Sequence, residues 1–85
     1  MIYSVEILRS AQKQLRKIDR QDQSRIIDAI TSLAENPHPA GSKKLSGRPA
    51  WRIRIGSYRV IYDIDDNKLR ILIVAIGHRK EIYRP

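Results

Sequence analysis

The 85-residue chain contains no cysteine, so it has no disulfide framework, no thiolate metal ligands and no thiol nucleophile. A reducing cytoplasm is the expected compartment. It also lacks any apolar run approaching the roughly 18 residues of a membrane span. Met1 to Glu6 has neither the basic nor the apolar region of a signal peptide. Export and membrane insertion are therefore not expected. Aromatic residues make up only 6% of the chain, leaving few rings on which bases could stack. Acidic side chains are scarce as well: nine Asp and Glu against 17 Lys and Arg give a formal charge of +8. Eleven of those 17 are arginine, whose planar fork suits phosphate oxygens better than the solvated point charge of lysine. The balance points to a polyanionic partner.

A chain this short supplies one core, so every part of a site must come from a single domain spanning residues 1–85. Tyr3, Val5 and Ile7 alternate with Ser4 and Glu6, the period of a half-buried strand. Leu8, Ala11, Leu15 and Ile18 recur at spacings of three and four, which predicts a short helix over about residues 10–19 with Ser10 as its N-cap. Ile26, Ile27, Ile30, Leu33 and Ala34 mark a second helix, capped by Asp22 and ended by Asn36-Pro37. A turn-forming segment and the basic loop Lys43-Lys44-Leu45-Ser46-Gly47-Arg48-Pro49 follow. Three strands fill the remainder, over about 50–55, 58–64 and 69–76, the last two joined by the turn Asp65-Asp66-Asn67-Lys68. The order β-α-α-β-β-β predicts an α+β domain, with two N-terminal helices on one face of a small, mostly antiparallel four-stranded sheet.

Gly56-Ser57 suits a type II′ hairpin, with glycine at the position that needs a positive φ. Counting outward from that turn pairs Ile55 with Tyr58, Arg54 with Arg59, Ile53 with Val60, Arg52 with Ile61 and Trp51 with Tyr62. Alternation then gives one apolar face and collects Arg52, Arg54 and Arg59 on the other. Like charges directly opposite on a sheet are destabilising by up to about 1 kcal/mol. An anion between the forks would remove that repulsion and add charge-assisted hydrogen bonds. A solvated face with splayed arginines is the plainer alternative; three arginines on one patch favour the anion site. The last strand, Leu69 to Ile76, is apolar on both faces, as in a strand inside the sheet and covered on both sides. A tail carrying His78, Arg79 and Tyr83 follows it, and Arg79 and Tyr83 would join the arginine cleft if the tail folds over that face.

The chain resembles the RelE/ParE superfamily of toxins from toxin–antitoxin pairs. The resemblance spans nearly the whole chain and lies in the element order, the Lys43-Lys44-Leu45-Ser46-Gly47 segment, Tyr58-Arg59-Val60-Ile61-Tyr62, and the ending Gly77-His78-Arg79-Lys80-Glu81-Ile82-Tyr83. It implies a RelE-like fold and a toxin held inactive by a RelB-like antitoxin in a hetero-oligomer. RelE-like members of the superfamily cut mRNA in the ribosomal A site, whereas ParE-like members poison DNA gyrase. Matched by position, Arg54, Arg59, Arg79 and Tyr83 are the implied catalytic residues, and Arg52, Lys43, Lys44 and His78 the implied substrate contacts. Arg52 and Arg54 stand where lysines are familiar, which keeps the charge but removes an easily deprotonated amine. The chain also stops at Pro85, without the longer C-terminal helix of some relatives.

The implied chemistry is metal-independent attack of the ribose 2′-OH on the adjacent phosphate. Arg54 and Arg59 would stabilise charge, Arg52 would hold phosphate, Arg79 would support the leaving oxygen, and Tyr83 would serve as base. A guanidinium cluster favours the phenolate form of tyrosine. His78 is the alternative base, an exposed loop histidine its plainer reading. The alternatives to a ribosome-dependent nuclease are a gyrase poison that acts by binding and an RNA-binding domain without catalysis. Arg9, Lys13, Arg16 and Arg20 form a basic stripe assigned to the first helix, which reads as a solvated face or as a contact for ribosomal RNA. Asp63, Asp65 and Asp66 lack the glycine and terminal glutamate of a calcium loop and read as a hairpin turn. His38 has no second ligand nearby in sequence, so neither a metal nor a cofactor is expected.

Overall fold

The computed structural model describes residues 2–78. Its elements are β1 (Ser4–Ile7), α1 (Arg9–Arg16), α2 (Arg20–Ser32), β2 (Lys43–Lys44), β3 (Ala50–Ile55), β4 (Tyr58–Asp65) and β5 (Arg70–His78). They form a five-stranded mixed sheet in the order β1-β5-β4-β3-β2, in which β1 runs parallel to β5 and the other neighbours are antiparallel. The fold class expected from sequence holds, with one strand added. The two-residue β2 lies inside the basic loop and is too short to leave an alternation pattern. β5 is an interior strand as expected, and β4 occupies the middle of the sheet.

Both helices cover the same face. Ala11, Ile18, Ile26, Ile30 and Leu33 from the helical layer meet Ile53, Val60, Tyr62, Ile71, Ile73 and Ile76 from the sheet in one buried cluster. Neither helix starts where capping residues suggested. α1 follows Leu8 rather than Ser10, and α2 follows Asp19 rather than Asp22, with no side-chain cap bond at either start. Gln23 instead closes the junction, its Nε2 donating to the Ile18 carbonyl at 2.6 Å. Arg20 belongs to α2, so the predicted basic stripe is split between two helices. α2 ends at Ser32 and continues through turn-like bonds to Asn36, beyond which Pro37 has no N–H to extend it.

One irregularity in β5 controls the site. Ile61 pairs with Ala75 but Tyr62 pairs with Ile73, so Val74 is the extra residue of a β-bulge. Buried positions on β5 therefore switch from Ile71 and Ile73 to Ile76. The bulge preserves the core while reversing which side chains beyond it face the helices. Past Ile73, β5 outruns β1, and Gln14 of α1 compensates: its Oε1 accepts the Ile76 N–H at 2.8 Å.

Candidate anion-binding face

Gly56 has φ +60 while Ser57 stays out of the positive region, the pattern of a type II′ turn. The turn fixes the β3–β4 register, and all five predicted pairs are present, including Arg54 opposite Arg59 and Arg52 opposite Ile61. Arg52, Arg54 and Arg59 thus share the face turned away from the helices. β2 adds Lys43, which pairs with Arg52 and lies on the same face, while Lys44 pairs with Trp51 and lies on the other. Toward β5 the rows end in small residues, with Ala75 beside Ile61 and Gly77 beside Arg59. The side chains beside the arginines are therefore small on that side.

Arg52 is only 8% exposed and Arg59 5%. The Nε of each is buried and, among the described residues, has no hydrogen-bond partner. Among those residues the one salt bridge is Arg25 to Asp22 at 3.7 Å; Asp63, further along β4 on the arginine face, forms none. Buried guanidinium donors without acceptors are costly, and a bound oxyanion is the chemistry that satisfies them. Arg54, in contrast, is exposed at the rim.

His78 does not join this group. The Val74 bulge places Gly77 beside Arg59 and turns His78 to the helix side, where it pairs with Tyr58, ring centroids 6.1 Å apart at 80°. Those two rings, with Gln14, Lys17, Ile18 and Ile76, line a cleft of about 500 Å³ that the sheet separates from the arginines. Strict alternation from Ile71 would have put His78 on the arginine face; a one-residue slip reverses that. Arg79 and Tyr83 lie outside the described residues. Asp65 forms the expected turn, its carboxylate accepting the N–H groups of Asn67 and Lys68. The small residues Ala75 and Gly77 were not expected there from sequence, although their size was the available signal.

A family description for the ParE toxin of type II toxin–antitoxin systems, parDE, matches residues 5–83. The chain belongs to the RelE/ParE toxin superfamily. Toxin RelG of Mycobacterium tuberculosis is 30% identical over 99% of both chains. The mRNA interferase toxin RelE of Escherichia coli K12 is 26% identical, over 98% of this chain and 92% of its own. In the solved archaeal RelE–RelB complex of Pyrococcus horikoshii, the matching chain superposes with a TM-score of 0.84 at 28% identity, covering 95% of this chain and 99% of that one. The protein is thus a toxin of the type II class with the RelE-like fold.

Proposed function

We propose that this toxin is an endoribonuclease that cuts mRNA in the ribosomal A site, with the scissile phosphate held on the Arg52–Arg54–Arg59 face. The observation that carries this reading is the burial of Arg52 and Arg59, with their Nε donors unpartnered among the described residues. A phosphodiester supplies the missing acceptors and offsets the Arg54–Arg59 repulsion. The name of the E. coli relative, an mRNA interferase, agrees with it.

In the proposed reaction the ribose 2′ oxygen gives its proton to a base and bonds to the adjacent phosphorus. The bond from phosphorus to the 5′ oxygen breaks, and that oxygen takes up a proton, leaving a 2′,3′-cyclic phosphate and a 5′-OH. Arg54 and Arg59 offset the extra negative charge of the phosphorane, and Arg52 with Lys43 holds the neighbouring backbone. Family resemblance assigns leaving-group support to Arg79 and the base to Tyr83, which we favour over His78 because His78 lies across the sheet from the arginines. A ribosome that orients the 2′-OH supplies the alignment that a domain this small does not. The proposed regulator is an acidic or amphipathic RelB-like antitoxin whose charge complements the +8 domain.

The ParE description favours a second reading, a gyrase poison. Incubation with programmed ribosomes, and separately with gyrase and supercoiled plasmid, distinguishes them. Cut mRNA supports the nuclease; stalled gyrase complexes with intact mRNA overturn it.

A further inference from the structure

The two-residue strand β2 is too short to fix its own position, yet it brings Lys43 alongside Arg52. Its placement comes from the preceding loop, which is clamped at two consecutive residues. The Tyr62 hydroxyl, fully buried on β4, donates to the Pro37 carbonyl at 2.8 Å. The next residue, His38, packs edge-on against Trp51 with ring centroids 4.3 Å apart. Trp51 and Tyr62 are themselves a cross-strand pair, so the clamp is built on the same β3–β4 ladder that sets the arginines.

A tight turn connects the clamp to Lys43. The Ser42 N–H donates to the Pro39 carbonyl at 3.0 Å, and Gly41 takes φ +89. These are the marks of a type II turn, with glycine at the position that demands positive φ. The path from Pro37 to Lys43 is therefore nearly all fixed. On the far side, the Leu45 N–H donates to the Ala50 carbonyl at 2.8 Å and starts the return to β3.

We infer that the Tyr62 hydroxyl is a positioning group that sets Lys43 beside Arg52 on the phosphate-binding face, acting through the Pro37–Ser42 loop; this rests on the ribonuclease reading. Tyr62 never touches the RNA. Its side chain lies on the core face, and its effect is carried by the Pro37 carbonyl and by the side chain of Ser42, the residue before Lys43. The Arg52–Arg54–Arg59 group does not depend on it, because the Gly56-Ser57 turn sets that register independently.

The test compares wild type with Tyr62→Phe, Lys43→Ala and the double variant. Two readouts are amide exchange at Leu45 and the salt dependence of binding to a fluorescein-labelled oligouridine. In Tyr62→Phe, exchange at Leu45 should quicken by about tenfold, the worth of one hydrogen bond, while the Val60 and Ile71 amides keep their protection. The slope of log affinity against log salt should drop by roughly 0.7, one phosphate contact, in either single variant and no further in the double. His38→Ala loosens the other anchor from an exposed position, and should quicken Leu45 exchange in the same direction if Tyr62→Phe fails to fold. Unchanged Leu45 exchange, or slope losses that add in the double variant, would overturn the proposal. Wild-type protein that shows no salt-dependent binding counts against the ribonuclease reading, and the exchange ratio alone then decides the clamp.

Discussion

Arg54 on β3 stands directly opposite Arg59 on β4, and the Nε of Arg59 is buried without a partner among the described residues. Facing like charges cost stability in a sheet. A turn with a defined register enforces this pairing, so the cost is built into the hairpin and an anion relieves it.

Inorganic phosphate should therefore stabilise the free protein beyond the effect of chloride at equal ionic strength. Saturation at a hundred times the dissociation constant contributes about 2.7 kcal/mol. In a domain this size that corresponds to a melting rise of about 4–8 °C per kcal/mol. Differential scanning fluorimetry checks it, and Arg54→Ala should shrink the rise. Equal melting in the two salts would contradict the anion site.

Arg59→Met should make the protein more stable while removing function. The substitution replaces a buried guanidinium, whose Nε has no partner among the described residues, with an apolar chain of similar length, a gain of about 1–3 kcal/mol. Urea unfolding of the two proteins measures it. A less stable Arg59→Met would mean that the guanidinium has partners that hold it in place.

Burial pushes the Tyr62 phenol up to about 12, with a side-chain hydrogen bond to Ser42 pulling the other way. An unfolded phenol ionises near 10. Between those values the unfolded chain holds fewer protons than the native one, so this contribution is complete below pH 10 and declines as pH rises toward 12. Tyr62→Phe lacks the group. The stability of wild type relative to Tyr62→Phe should thus be constant below pH 10 and fall above it; a pH-independent difference would contradict the burial.

The hairpin was legible in sequence because Gly56-Ser57 fixes both turn type and register, and every pair followed by counting. The core faces of the helices were legible from spacing, but their starts were not: Ser10 and Asp22 look like caps, yet tertiary packing begins the helices after Leu8 and Asp19. β2 was hidden because two lysines carry no periodicity. The side of the sheet that His78 takes was hidden for a sharper reason. Nothing in Ile73-Val74-Ala75-Ile76 announces the bulge, which contains no glycine, and the alternative is to bury Ala75 in place of Ile76. Core packing decides that choice, and the histidine's side follows from it.

The central claim is that buried arginines on this face hold an RNA phosphate during cleavage. Its most direct measurement is mRNA cutting on programmed ribosomes by wild type and by Arg59→Ala, with folding of the variant verified by circular dichroism. The account predicts cutting by the wild type and a loss of about 10²–10³-fold in the variant, the usual effect of removing a donor to a developing anion. Equal rates from a folded Arg59→Ala protein would contradict it.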